Sequence, residues 1–268
     1  MTSRASWLAL AAVLTLTAAC ATTPPPPPPP PVESGAPVPA WLDAALTDPG
    51  RPAADMARDA ARRPAETLLF AGIRPGMKVA DLIPGGGYFT RIFSKAVGPR
   101  GRVYAYVPGE FAAQAKREPA VATVTNDPAY ANTRMMVDTM PRFTAPEKLD
   151  VVFTAQNYHD LHTQRMGPVD VARVNKAVFA ALKPGGLYIV IDHTAKAGSG
   201  LSAVDDFHRI DPALVRREIE AAGFVFDGQG DFLRDPKDRL NVSVFDKSIR
   251  GETDQFVYRF RKPGRARR

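Results

Sequence analysis

The residues in this chain best suited to move a proton are its four histidines and the carboxylates beside them. His159 and His162 lie in the run Gln156-Asn157-Tyr158-His159-Asp160-Leu161-His162, His193 follows Asp192, and His208 precedes Arg209. Each falls at the end of an apolar run or in a loop. An imidazole that titrates near pH ~6.5 can accept a proton at neutral pH. His159 is therefore the candidate base, and His159, Asp160 and Tyr158 form the candidate catalytic group, with Asp160 or Asp192 to orient a ring. Asn157 would line the same pocket, and His162, His193, His208 and Arg209 are candidate substrate contacts. The same imidazoles with Asp160 or Asp192 could instead hold a metal, and zinc suits such ligands. Their spacing fits no closed zinc motif, so no metal is expected.

A second place for chemistry is Val79-Ala80-Asp81-Leu82-Ile83-Pro84-Gly85-Gly86-Gly87-Tyr88-Phe89-Thr90. It reads as a buried strand, a glycine-rich turn and the start of a helix. At such a turn an α/β sheet offers backbone N–H groups to a nucleotide-like ligand. A dinucleotide fingerprint would run Gly85-x-Gly87-x-x-Gly, but Thr90 stands at the third position. A P-loop would need Gly-Lys-Ser/Thr, which does not follow. A nicotinamide enzyme is left as an alternative with two glycines of three.

The elements that must position these residues follow from apolar patterning. Strands are expected over Met77–Ile83, Val103–Val107, Thr133–Val137, Leu149–Ala155 and Leu187–Asp192. Between them, helices are expected over Tyr88–Val97, Phe111–Lys116 and Val169–Leu182, the last stopped by Lys183-Pro184-Gly185-Gly186. Ala195–Ser202 reads as a loop. Pro212–Ala222 reads as a helix capped by Asp211. Phe224–Leu233 and Gln255–Arg261 alternate as an antiparallel closing pair. Strands alternating with helices predict a doubly wound Rossmann-like α/β sheet, mostly parallel with an antiparallel C-terminal strand. Trp41 to Phe70 is helical in pattern, Pro64 starts a new helix, and Arg58, Asp59, Arg62 and Arg63 are candidates for a lid over the cleft.

From about Arg51 to Pro263 the chain resembles class I S-adenosylmethionine-dependent methyltransferases. The likeness rests on Asp81-Leu82-Ile83-Pro84-Gly85-Gly86-Gly87, on Pro75-Gly76-Met77-Lys78-Val79, on Leu149-Asp150-Val151-Val152-Phe153 and on Leu182-Lys183-Pro184-Gly185-Gly186. Gly85 and Gly87 match the second and third glycines of the first motif, and Ile83 replaces the first. More narrowly the chain looks like a bacterial, often exported, group of predicted methyltransferases. That likeness rests on Pro84-Gly85-Gly86-Gly87-Tyr88, on Asn157 to His162 and on Phe260-Arg261-Lys262-Pro263. The resemblance implies S-adenosylmethionine as cofactor, held by Asp81, Pro84, Gly85, Gly86, Gly87 and Asn157. It implies that Asp81 receives the ligand's ammonium and that Asp138 receives the adenine amino group, with Met140 over the ring. The family's ribose-binding acid ends strand two. Here that position is Val107, and Glu110 is the nearest acid, a candidate to reach the ribose from the loop. The implied activity is methyl transfer to a small molecule or an envelope component. The alternative is a ligand-binding lipoprotein on the same fold without catalysis.

The chain has 268 residues, 45% apolar and 24% charged, which allows a sizeable core. Its formal charge of +7 draws on a basic C-terminal stretch, and no interleaved aromatic and basic pattern points to nucleic acid. Met1 to Ala19 reads as an export signal with Arg4 at its positive end. Leu16-Thr17-Ala18-Ala19-Cys20 resembles the lipobox of bacterial lipoproteins, which implies lipidation of Cys20, export, and anchoring to a bacterial membrane on the periplasmic side. Cys20 is the single cysteine, so no intrachain disulfide can form. Residues 20–40 read as a proline-rich tether, 41–262 as one methyltransferase-like domain with an N-terminal helical lid, and 263–268 as a basic tail.

Overall fold

The computed structural model describes residues 38–113 and 117–264. The export signal, Cys20, most of the tether, the end of the helix expected to Lys116 and most of the basic tail lie outside the described residues. Seven strands form one sheet in the order β3-β2-β1-β4-β5-β7-β6. They are β1 (Lys78–Leu82), β2 (Arg102–Pro108), β3 (Thr133–Asp138), β4 (Leu149–Ala155), β5 (Leu182–His193), β6 (Val225–Gly230) and β7 (Gln255–Arg261). β1 to β5 run parallel, while β7 pairs antiparallel with both β5 and β6. The expected doubly wound sheet with its closing antiparallel pair is the sheet observed.

Ten helices accompany it among the described residues: α1 (Ala40–Leu46), α2 (Ala53–Met56), α3 (Asp59–Arg62), α4 (Pro64–Phe70), α5 (Tyr88–Val97), α6 (Gly109–Ala112), α7 (Ala122–Thr125), α8 (Val171–Ala181), α9 (Val204–Phe207) and α10 (Pro212–Ala221). α8 starts two residues later than expected because Asp170 caps it, its side chain accepting from the Arg173 N–H at 2.9 Å. Lys183 to Gly186 do not precede β5 but belong to it. The ladder slips between Leu149 and Val151, and the Gly185 N–H and Gly186 carbonyl bond to Lys262. α9 was not expected, because four residues are too few to show helical periodicity.

Strand alternation decides which residues meet in the site. Val79, Val103, Val151, Ile189 and Val257 face α1, α4 and α5, whereas Ala80, Leu82, Tyr104, Val152, Tyr188 and Val190 face α8 and α10. Asp81 therefore shares the α5 face with Val79. Asp192 shares the α8 face with Tyr188 and Val190, and His193 projects to the opposite side. Gly87 opens α5 at φ 81°, and a Cβ there would stand 2.5 Å from Val124 Cγ2. Only glycine fits that corner without displacing α7.

Candidate functional site

At the carboxyl ends of β1 and β4 lies a polar cavity of about 180 Å³, lined by Arg58, Arg62, Asp81, Tyr88, the turn Ile83 to Gly86 and Ala155 to Asn157. Asp81 is buried and accepts a hydrogen bond from the Thr90 hydroxyl at 2.6 Å. Burial pushes its carboxyl up to about 7, against the pull of Thr90 and of the Arg62 charge. α3 carries Arg62 over the rings of Tyr88 and Phe89, 4.8 and 5.7 Å from their centroids, and its guanidinium donates to Gln156 Oε1 at 2.5 Å. Arg58 stacks on Tyr88 from 4.9 Å. Tyr88 is fixed in turn by its hydroxyl, which donates to Asp59 at 2.6 Å, and Asp59 is clamped by Arg51. Arg63 pairs with Glu66 instead and does not line the cavity.

The turn itself is strained. Ile83 has φ 55° and Gln156 φ 63°, a left-handed conformation that costs a non-glycine residue about 1–2 kcal/mol. The Asn157 side chain spans the two strand ends, donating to the Ile83 carbonyl at 2.7 Å and accepting from Thr154 at 3.0 Å. Strain held this way at a cleft is common where a ligand binds. The missing first glycine is thus replaced in conformation, if not in type.

Across Ile83, Pro84 and Gly85 lies a second cavity of about 230 Å³, walled by Val107, Pro108, Phe111, Ala112, Pro119 and Ala120. Among the described residues, none with a charged side chain lines it. Neither Glu110 nor Asp138 lines either cavity. Glu110, expected to reach for a ribose from a loop, sits on α6 and accepts the Met140 N–H at 3.0 Å through one carboxylate oxygen. Asp138 accepts its neighbour's N–H, from Thr139, at 2.8 Å and stands 3.6 Å from Arg142. Met140 is buried in the core.

The histidine run divides. His159 is buried, and its Nδ1 stands 2.8 Å from Asp192 Oδ1 while its backbone N–H donates to Asp192 Oδ2 at 2.7 Å. Its Nε2 lies 3.3 Å from His208 Nδ1 and 3.6 Å from Asp160 Oδ1. Burial lowers the basicity of His159, but the Asp192 charge and hydrogen bond, with Asp160, outweigh it and leave the ring more basic than usual. Asp192 is held below its ordinary range, since its ties to His159 overcome burial. Burial drives His193 down to about 4, and burial with the His159 charge lowers His208. His193 bonds Thr253 at 2.8 Å.

Three further expected site residues point elsewhere. Tyr158, expected in the catalytic group, is fully buried between α8 and α10, where its hydroxyl donates to Glu218 at 2.9 Å and accepts from Asn175 at 2.8 Å. Its large apolar ring gains more from core burial than a cleft would give it. His162, expected at the substrate, follows it and lies 3.1 Å from Glu218. Arg209, also expected at the substrate, is fully buried and spends its donors on Asp238 and on the carbonyls of Thr194 and Val242. Sequence reasoning passed over Thr90, Tyr88 and Gln156. Thr90 had a legible signal, since the α5 face of β1 and the first turn of α5 must meet.

No family model matches the chain. It is 30% identical over 144 residues to the ubiquinone/menaquinone biosynthesis C-methyltransferase UbiE of Hydrogenovibrio crunogenus, over 53% of this chain and 52% of that one. The match thus spans about half the length of that curated relative. Among solved structures it is similar to an S-adenosylmethionine-dependent methyltransferase from Aquifex aeolicus, with a TM-score of 0.52 and 19% identity over 77% of this chain and 93% of that one. The glycopeptide N-methyltransferase MtfA, complexed with sinefungin, gives a TM-score of 0.51 with 15% identity over 77% and 87%. The fold is that of the class I methyltransferases.

Proposed function

We propose that this chain binds S-adenosylmethionine across the Ile83–Gly85 turn and transfers its methyl group to a small molecule or an envelope component. One observation carries the reading: a polar cavity and an apolar cavity share Ile83, Pro84 and Gly85. A ligand lying over that turn would meet an acid and two arginines at one end and apolar side chains at the other. Asp81 suits its ammonium, Arg58 and Arg62 suit its carboxylate, and Val107, Pro108 and Phe111 suit the adenine ring. When bound, the cofactor supplies an electrophilic methyl group on a sulfonium. The protein's part is to align, desolvate and screen it from water. Tyr88, Phe89, Arg58 and Arg62 close over the polar end. His159, Asp160 and His208 are proposed on the acceptor side, where Asp192 fixes the His159 ring.

Titration calorimetry of the full chain with S-adenosylmethionine and S-adenosylhomocysteine tests this. Saturable binding is expected, weakened roughly 10- to 100-fold in Arg62→Ala, as for loss of a charge-assisted bond of about 1.5–3 kcal/mol. Silence with both ligands would end the proposal. A second reading, ligand binding without methyl transfer, is favoured by the end of β2. Val107 stands where an acid would hold the ribose, and Glu110 is engaged by Met140. Binding without turnover on any acceptor would favour it.

The exported, lipidated placement is part of the proposal. Incorporation of labelled palmitate into the full chain, lost on Cys20→Ser, is the expected result.

A further inference from the structure

We propose that His159, Asp160 and His208 form a divalent metal site of the zinc type, with three protein ligands and an open fourth position. The proposal rests on residues outside the donor cavity. One ligand atom each from His159, Asp160 and His208 lie within 4.8 Å of one another. The separations from His159 Nε2 are 3.3 Å to His208 and 3.6 Å to Asp160. Ligands about 2.0–2.2 Å from a tetrahedral zinc stand about 3.3–3.6 Å apart, so the edges from Nε2 already have the required length.

The surroundings argue for ligation over a chance meeting of polar groups. A metal-binding histidine typically gives its other N–H to a carboxylate, which fixes tautomer and ring orientation. Asp192 does this for His159, receiving Nδ1 at 2.8 Å and the backbone N–H at 2.7 Å. It leaves Nε2 with a lone pair aimed at the other two ligands. His208 ends α9 in the left-handed conformation, at φ 53°. The residue after it, Arg209, is buried and tied to Asp238, which anchors the chain there. Without an ion, His208 Nδ1 can donate its proton to His159 Nε2. Coordination moves that proton to His208 Nε2, so the ring stays neutral while Nδ1 becomes a ligand. One ligand carboxylate and the Asp192 carboxylate behind it balance a divalent charge.

The three ligands differ in exposure. His159 is buried, whereas Asp160 and His208 are partly exposed, and the exposed Phe245 packs on His208 with ring centroids 4.8 Å apart. The fourth position therefore faces the solvent side, where an oxygen of an acceptor could enter. In this arrangement His159 Nε2 is a ligand and not a free base.

The test is calorimetric titration of the untagged, chelator-treated full chain with zinc chloride, in parallel with cobalt chloride followed by visible absorption. One equivalent of zinc should bind, and cobalt should give the intense absorption of a tetrahedral centre. His208→Ala and Asp160→Asn should each weaken zinc at least tenfold and remove the cobalt spectrum, with unchanged circular dichroism and unchanged S-adenosylmethionine binding. Absence of saturable zinc binding would overturn the site, as would binding that both variants retain.

Discussion

At about pH 8 the unliganded Asp81→Asn variant is expected to melt above the wild-type protein, by about 4–8 °C, and to bind S-adenosylmethionine at least ~100-fold more weakly. Asp81 is buried at the end of β1, where its carboxylate accepts from the Thr90 hydroxyl. Its native value of about 7 stands above the unfolded value of 3.8. The native state therefore holds more protons than the unfolded state between these limits. Stability falls as pH rises through that window and levels off above it. The full shift corresponds to a cost on the order of 4 kcal/mol when the carboxylate is charged. An asparagine keeps an oxygen for Thr90 and removes the charge. Recovering about half of that cost moves the melting temperature by about 4–8 °C in a domain of this size. The same charge is what an ammonium would pair with, so the variant loses donor affinity by 100-fold or more. The wild-type protein should lose affinity as pH drops below about 7, as the carboxyl takes up its proton. Differential scanning fluorimetry at about pH 4 and pH 8, with calorimetry at both, checks all of this. The variants should melt alike at the lower pH. A wild-type melting temperature at pH 8 equal to that of Asp81→Asn, with donor binding retained, would remove Asp81 from its role.

The sheet was legible because burial on both faces writes nearly continuous apolar runs into β1, β4 and β5. β4 and β7 have the ends that the pattern marks, and α5 spans Tyr88–Val97 as expected, with Gly98 ending it. Lys183-Pro184-Gly185-Gly186 looked like a stop because proline and glycine usually punctuate. Nothing local reveals that Lys262, far along the chain, pairs with them. Within the candidate site, backbone geometry was legible and side-chain direction was not. Asp81 and Asn157 reach the polar cavity because strand ends point there. Tyr158 and His159 are adjacent in sequence, and only packing sends the ring of one into the α8–α10 layer and that of the other toward Asp192. Charge misled in the same way at Glu110 and Arg209. A charged residue beside a cleft reads as a ligand contact until its partner, Met140 or Asp238, is seen.

The conflict between those two meanings of a charged residue is sharpest at Arg209, and Asp238→Ala resolves it. Arg209 and Asp238 are paired at 2.9 Å, with side-chain exposures of 0% and 1%. Arg209 also donates to the carbonyls of Thr194 and Val242, at 3.0 and 3.1 Å, and so ties the end of β5 to the segment before β7. Asp238 accepts the N–H groups of Leu240 and Asp254 at 3.0 and 2.8 Å. Removing its carboxylate leaves a guanidinium buried without a counter-charge, a loss that typically costs about 3–5 kcal/mol. In a domain of this size that lowers the melting temperature by about 6–20 °C. Because Arg209 follows His208 directly, the variant should also loosen the His208 ring and weaken metal at the His159 cluster. Replacing both partners, as Arg209→Met with Asp238→Asn, should recover part of the stability, since removing both charges of a buried pair is tolerated better than removing one. A substrate-binding Arg209 predicts a different pattern: Asp238→Ala would melt like the wild type, and Arg209→Met would raise KM alone. Thermal melts of the three variants, followed by zinc titration, distinguish a buried strut beneath the histidine cluster from a contact within the cleft.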